Sequence, residues 1–307
     1  MNSVIEQTLN RNNYEIIVTK NFIDSDIENY LIENNIKVLF SGNVDQGKQL
    51  YDAINLAQGE VIALLDDDDL FEKNKLESIL SHFHSNPNLI YVHNQYKTLR
   101  DGVISDKTIY HAIRNDIYIE NGKLNVVKKY LKNGIWSNNS SICFRKIFLA
   151  NYIDILKSIK SRIDFFIFYT ALMSHKDILL MSTKFTIYRI HNSETHSVDL
   201  ATIKDQRKLF LTRYSYTNEL LFKVCEDKEI SKLIQMDQVI IAMNLRLVGI
   251  KDNIKLNQLH MTLVYAFIYR KIYPLIILFF FTLSLLSERY LTSILTRTIS
   301  VYYTHFY

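Results

Sequence analysis

The sequence predicts an α/β protein with a mainly parallel sheet, flanking helices and a helical C-terminal region. Three observations carry that class. Short apolar runs alternate with segments of helical period, the pattern that builds a sheet with helices packed on its faces. The run Val61-Ile62-Ala63-Leu64-Leu65 follows a Gly59-Glu60 turn signal and reads as a fully buried strand. Four consecutive aspartates, Asp66 to Asp69, stand directly behind it, at the carboxyl end of a strand, where open α/β sheets bind ligands.

The elements follow in order. Tyr14-Glu15-Ile16-Ile17-Val18 and Ile36-Lys37-Val38-Leu39-Phe40 read as buried strands. Between them Asp24 to Asn34 is helical, with Ile27, Tyr30 and Leu31 on one face. Leu50, Ala53, Ile54 and Ala57 fall at helical spacing before the Gly59 stop. Behind the aspartates, Leu76, Ile79, Leu80 and Phe83 form one helical stripe that Pro87 ends, and Leu89 to Val92 starts a further strand. Asn121 to Asn139 is polar and loop-rich around the only tryptophan, Trp136. Ile178 to Ile190 reads as a strand, and Ala201 to Ile250 as helical. Three regions result, 1–200, 201–258 and 259–307.

At 307 residues, 48% apolar and 22% charged, the chain has ample length for a core and lies far from disorder. A net charge of +4 suits weak attraction to anionic lipid or to a nucleotide phosphate and is no nucleic-acid signature, so no nucleic-acid partner is expected. Cys143 and Cys225 have no zinc or disulfide spacing, which favours a reducing compartment. Met1-Asn2-Ser3-Val4-Ile5-Glu6 has neither a basic nor an apolar leader region, and no secretory leader is expected.

Ile272 to Ser287 carries no charge and includes Leu275-Ile276-Ile277-Leu278-Phe279-Phe280-Phe281, flanked by Arg270-Lys271 and Glu288-Arg289. It is near the lower length limit for a spanning helix. Tyr265, Tyr269, Tyr273 and Tyr290 bracket it as interfacial aromatics do. A buried core helix is the alternative. The flanks and the aromatic fringe favour membrane contact, spanning or lying in the interface.

Four adjacent carboxylates repel one another, and burying them unpaired is costly. A divalent cation removes that cost, and oxygen ligands suit Mg²⁺ or Mn²⁺. A solvated acidic turn is the plainer alternative; the strand ahead and the helix behind favour the metal.

Several segments, in order, resemble GT-A-fold glycosyltransferases of the family-two type. Tyr14 to Val18 resembles that family's second strand. Gly47, then Ala57-Gln58-Gly59-Glu60 running into Asp66-Asp67-Asp68-Asp69, is similar to its aspartate signature. Ser140-Ser141-Ile142-Cys143-Phe144-Arg145 resembles its acceptor-side strand, and Asp164-Phe165-Phe166 the segment with its catalytic aspartate. Tyr188-Arg189-Ile190-His191-Asn192-Ser193 resembles its Tyr-Arg-His loop. The likeness runs from about Asn2 to Ser197.

The resemblance implies a Rossmann-like catalytic domain over 1–200, a helical extension over 201–258 and a membrane-associated tail over 259–307. It implies inverting, metal-assisted transfer of a sugar from a nucleotide-diphosphate donor to a glycan or lipid-linked acceptor at the cytoplasmic face of the cell membrane. Asp68 is the first metal ligand; Asp66 serves metal or donor, and His191 completes the metal site or touches the diphosphate. Asp67 faces the donor ribose or sugar hydroxyls, and Asn21 and Gly47 stand at donor positions. Arg189 pairs with a phosphate or a site carboxylate, or makes a structural ion pair. Asp69 is available to cap the following helix. Asp164 matches the base that takes the acceptor's proton, with a helix N-cap as its alternative; the glutamate that usually precedes it is Ile163 here. Trp136 either stacks on an acceptor sugar or fills a core or loop position.

Two departures stand out. Members of that family begin with a strand and polar turn that help hold the nucleotide base, and this chain starts inside the helix that follows, so the first strand is missing. The usual acidic contact after Val18 is replaced by Thr19-Lys20-Asn21. Either the start lies upstream or donor binding is weakened, which leaves a non-catalytic, membrane-attached relative that binds glycan or a partner as the competing reading.

Overall fold

The computed structural model describes residues 1–42, 45–108, 112–190 and 203–250, together with Leu275, Leu278, Phe279, Phe281 and Thr282. The chain divides into two compact units.

The first unit holds Met1–Thr108, Ala112–Lys123 and Ile135–Ile190. Helix α1 (Asn2–Ile5) leads to strand β1 (Ile17–Lys20), helix α2 (Ser25–Glu33), strand β2 (Lys37–Phe40) and helix α3 (Gln46–Leu56). Asp24 starts α2 by accepting the N–H groups of Asp26 and Ile27, each at 3.0 Å, which satisfies two donors a helix start leaves orphaned. Then come β3 (Val61–Ala63), β4 (Leu70–Phe71), α4 (Lys75–Ser85), β5 (Leu89–Arg100), β6 (Val103–Ser105) and β7 (Ile117–Ile119). After α5 (Leu124–Tyr130), which belongs to the second unit, the first resumes with β8 (Ile142–Arg145), α6 (Ile153–Leu156), α7 (Ile163–Met173) and β9 (Asp177–Arg189).

The α/β class stands, with pairing more mixed than strand–helix alternation implies. The main sheet has seven strands in the path β3-β8-β5-β9-β4, with β6 added to β5 and β7 to β9. Among the described residues only β5–β9 is parallel within it; β3–β8, β5–β8, β4–β9, β5–β6 and β7–β9 run antiparallel. Strand β6 folds straight back onto β5, whereas β3, β4, β7 and β8 reach their antiparallel partners through long connections, and antiparallel pairing needs no crossover helix. Strands β1 and β2 form a separate parallel pair.

Strand β5 is buried along nearly its whole length, as the middle of a covered sheet requires. Ile79 and Phe83 of α4 pack there with Leu89, Val92, Cys143, Leu179, Met181 and Phe185. Helix α7 is apolar on every side and buried from Phe165 to Leu172, the pattern of a helix enclosed by its domain. A second cluster gathers Val4, Ile16, Leu31, Ile36 and Phe71 against Ala63 and Leu65, so the β1–β2 pair shares a core with the aspartate-bearing strand. That strand is shorter than the apolar run and only half-buried, because among the described residues it pairs with β8 alone and lies at the end of its sheet.

In the second unit, α8 (Ile203–Val224) and α9 (Lys228–Leu247) pack together. Asp227 caps α9, accepting the N–H groups of Glu229 and Ile230 at 2.8 and 3.0 Å. Asn218 donates to Asp237 at 2.8 Å and Arg207 to Asn244 at 2.9 Å, so the polar residues buried between the two helices are hydrogen-bonded. Phe281 is buried in this unit, with the Arg246 guanidinium 5.8 Å from its ring centroid. No helix among the described residues is long and apolar enough to cross a membrane; most of the apolar tail, 259–307, lies outside them.

Candidate functional site

Beyond β3 the chain stays tied to β8 for one more residue, Leu64 N–H donating to Ile142 O at 3.1 Å, and then turns as Asp69 N–H reaches Asp66 O at 3.3 Å. The four aspartates part company on this turn. Asp67 is exposed, Asp66 and Asp68 are half-buried, and Asp69 is buried. Asp69 does not cap α4, whose N-cap is Asn74. Its Oδ1 instead accepts the backbone N–H of Arg189 at 2.8 Å, and its buried Oδ2 has no hydrogen-bond partner. Arg189 returns the contact, Nε donating to the Asp68 carbonyl at 2.8 Å. Residue 189 therefore clamps the aspartate turn to the end of β9.

A second turn, Asn138-Asn139-Ser140, meets the first from the β8 side. Asn139 Nδ2 donates to Asp66 Oδ1 at 3.1 Å, and Ser140 Oγ accepts the Asp66 N–H at 3.0 Å. One residue earlier, the Asn138 N–H donates to Asp164 Oδ2 at 3.1 Å. Asn138 does this from a positive φ of 70°, which few residues other than Gly, Asn and Asp adopt readily. Its own Oδ1 accepts Ser140 N–H at 3.0 Å and closes the turn. Three consecutive residues thus hold Asp66 and Asp164 at once.

Asp164 lies inside the first turn of α7. The cap position belongs to Arg162, at φ 64°, so the N-cap alternative for Asp164 does not hold. Asp164 Oδ1 accepts Phe165 N–H at 2.8 Å, and a carboxylate in a first helical turn is favoured by the helix dipole. The Arg162 guanidinium sits 3.7 Å from the Phe165 ring centroid and 6.0 Å from that of Trp136. Trp136 is half-buried and meets Phe165 edge-on at 5.9 Å.

Electrostatics follow from this crowding. Burial pushes the Asp66 carboxyl up to about 7, against the lowering pull of Asn139 and with the charges of Asp69, Asp68 and Asp164 adding to the rise. Burial likewise lifts Asp69 to about 6, opposed by Ser140 and the Arg189 N–H. Burial also raises Asp164, while the Arg162 guanidinium and the N–H groups of Phe165 and Asn138 restrain it. Tyr188, packed edge-on against Tyr96 at 5.6 Å, is raised by burial and then by all of Asp69, Asp68, Asp66 and Asp164.

The donor positions on the β1–β2 side are placed differently. Asn21 is exposed just past β1, beside buried Lys20, whose ammonium is paired with Glu28 at 2.6 Å. Gly47 is buried in the first turn of α3, its N–H already donating to Ile159 O at 2.8 Å. A Cβ there would lie 2.1 Å from Leu156 O, so close backbone approach accounts for the glycine. The Ala57-Gln58-Gly59 stretch is an anchor: Gln58 and Gly59 N–H donate to Glu15 Oε1 at 2.6 and 2.9 Å, and Lys37 pairs with Oε2 at 2.7 Å. His191 lies outside the described residues.

Among the described residues no three His, Cys, Asp or Glu side chains group closely enough to hold a metal ion. The chemistry of the cluster nevertheless fits a hard divalent cation. Its donors are carboxylate oxygens, one of them is buried and unpartnered, and burial, with the neighbouring carboxylates adding to it, raises Asp66, a cost that a cation relieves.

The sequence model described as glycosyl transferase family 2 matches residues 1–150. An uncharacterized glycosyltransferase of Nostoc sp. is 24% identical over 229 residues, which cover 72% of this chain and 69% of that protein. Among solved structures, residues 1–349 of S. aureus TarS in complex with UDP superpose with a TM-score of 0.51 at 14% identity, covering 94% of this chain and 87% of that one. A longer TarS structure gives 0.51 at 13% identity, and this chain spans 50% of its length. At such identity the two superpositions speak for the fold.

Proposed function

We propose, from the premise that this chain belongs to glycosyl transferase family 2 and has a GT-A fold, that it transfers a sugar with inversion from a nucleotide-diphosphate donor to a hydroxyl of a glycan or lipid-linked acceptor. The observation that carries the reading is the Asn138-Asn139-Ser140 turn, which holds a donor-side carboxylate and a second, separately placed carboxylate in one frame. The UDP bound by TarS supports a nucleotide donor.

In this reading the acceptor hydroxyl oxygen attacks the anomeric carbon as the bond to the diphosphate oxygen breaks, and the bonding pair leaves with the diphosphate. Asp164 takes the hydroxyl proton. Its carboxyl is raised by burial, which moves a base toward the working pH. Asp66 and Asp68, with His191, would hold Mg²⁺ or Mn²⁺, which when bound supplies Lewis-acid stabilisation of charge growing on the leaving diphosphate. Asp67, the exposed member of the four, is free to meet donor hydroxyls. Arg189 keeps the Asp68 backbone in place. Attachment through the apolar tail, with Arg270-Lys271 on the cytoplasmic side, belongs to the same reading.

The test is a panel of nucleotide sugars offered to the full chain with and without Mn²⁺. Release of nucleoside diphosphate from at least one donor, stimulated by the metal, is expected. No release from any donor, alongside demonstrable binding of a glycan, would favour the non-catalytic relative.

A further inference from the structure

Beneath the aspartate turn lies a residue that the reaction scheme leaves unused. Lys75, the first residue of α4, is completely buried. Its ammonium donates to the carbonyl of Ser140 and, at 3.1 Å, to Thr186 Oγ1, and it sits 3.8 Å from the centroid of the Phe71 ring. Thr186 Oγ1 in turn donates to the same Ser140 carbonyl at 2.8 Å and accepts from Asn94 Nδ2 at 2.9 Å. One backbone oxygen of Ser140 is therefore fixed from two sides. The residue that carries it also receives the Asp66 N–H on its hydroxyl, and its two predecessors bond the carboxylates of Asp66 and Asp164.

A buried ammonium is expensive. A buried charge is retained where it meets partners, and it is weak evidence of a stabilising role. The Lys75 charge also acts on the buried Asp69 carboxylate, but the Thr186 hydroxyl by itself would satisfy the Ser140 carbonyl. What Lys75 adds is a charge-assisted bond to the carbonyl that ends the Asn138–Ser140 turn. We propose that Lys75 is a positioning residue for the transfer reaction: by pinning the Ser140 carbonyl from below, it makes the Asn138–Ser140 turn a rigid strut that keeps Asp66 and Asp164 at fixed separation. The proposal rests on the transferase reading above for its catalytic meaning. Its structural half stands on the hydrogen bonds alone. A strut of this kind matters because a misplacement of about 1 Å between reacting groups can cost on the order of a hundredfold in rate.

The experiment is residue-resolved amide hydrogen exchange on the full chain, comparing wild type with Lys75→Met. Asp66 and Asn138 amides, whose acceptors are Ser140 Oγ and Asp164 Oδ2, should exchange at least about tenfold faster in the variant, while Val92 and Leu179 in the β5–β9 core keep their protection. Unchanged protection at Asp66 and Asn138 overturns the strut. Should Lys75→Met fail to fold, Thr186→Val, which removes the second tie to the same carbonyl with little change of volume, decides by the same two amides. Turnover adds the catalytic half. In a double-mutant cycle of Lys75→Met with Asn139→Ala, the joint loss of kcat should fall short of the product of the single losses by about fivefold or more, because both act through one turn. Simple multiplication would make Lys75 a mere packing residue. Donor turnover by wild type tests the transferase reading separately, and the exchange result decides the strut whichever way that falls.

Discussion

Two sides of the first unit both look functional in sequence, and the structure uses them in opposite ways. On the β3–β8 side, Asp66, Asp68 and Asp164 remain partly exposed, and their environment raises Asp66 and Asp164. On the β1–β2 side, Gly47 and the polar residues around the donor positions are committed to holding the fold together, while Asn21 itself is exposed. Lys20 is consumed by Glu28, Glu15 by the Gln58–Gly59 turn, and Gly47 by the backbone of Leu156 and Ile159. A motif residue can be required because it reacts or because nothing else fits. Asp66, Asp68 and Asp164 each keep part of the side chain open to solvent, whereas Gly47 is enclosed by backbone.

The largest effect that would sharpen this contrast is at Asp164. Asp164→Asn keeps an oxygen for the Phe165 N–H but cannot take a proton, so kcat should fall roughly 10²–10⁴-fold with donor affinity within about threefold of wild type. Steady-state kinetics with a donor titration would read this, and near-normal turnover would move the base elsewhere.

A second handle on the same side is pH. His93 of β5 is buried, and its Nε2–H donates to the Ser137 carbonyl at 2.8 Å, next to the strut. Burial, aided by the nearby Lys75 charge, lowers it from 6.5 to about 4. As pH falls the unfolded chain therefore takes up the proton first. The group's contribution is complete above pH 6.5 and is lost on the way down to about 4, a loss of about 3 kcal/mol. Denaturant titrations of wild type and His93→Gln across that window should show the wild type losing more stability; parallel curves would remove His93 as the cause.

The smallest expected effect is on the other side. Gly47→Ala forces a Cβ against two carbonyl oxygens and should cost about 1–3 kcal/mol by overpacking, visible as a lower melting temperature. Donor affinity per folded molecule should not change. If affinity falls while stability holds, Gly47 is a donor contact and the division between the two sides fails.

Much of this was legible in the residues. The helical stripe Leu76–Phe83 was readable because burial imposes a period on sequence, and the apolar run ahead of Asp66 does contain a strand, though a shorter and only half-buried one. Asp24 fell at the start of a helix because a short side-chain oxygen is what orphaned N–H groups need. The aspartate cluster was readable because four adjacent carboxylates are too costly to be incidental. What escaped was long-range and polar. No pattern in the sequence singles out Lys75, and only the packing of Ser140, Thr186 and Phe71 around it reveals a buried ammonium. The pairing of Asn138 and Asn139 with Asp164 and Asp66 spans 26 and 73 positions, beyond any periodicity. Ser140 was the available signal, since it sat in a segment already singled out. The mixed sheet was hidden for the same reason, because strands of two or three residues leave no pattern to count.

The most direct test of inverting transfer is the stereochemistry of the first product. The full chain would be incubated with Mn²⁺ and whichever nucleotide-diphosphate sugar it consumes, and the anomeric configuration of the newly formed sugar read by proton NMR before mutarotation. With Asp164 as base and attack opposite the leaving diphosphate, the configuration should be inverted relative to the donor. A product that keeps the donor's configuration would contradict that arrangement, and would require the carboxylates to act in another way.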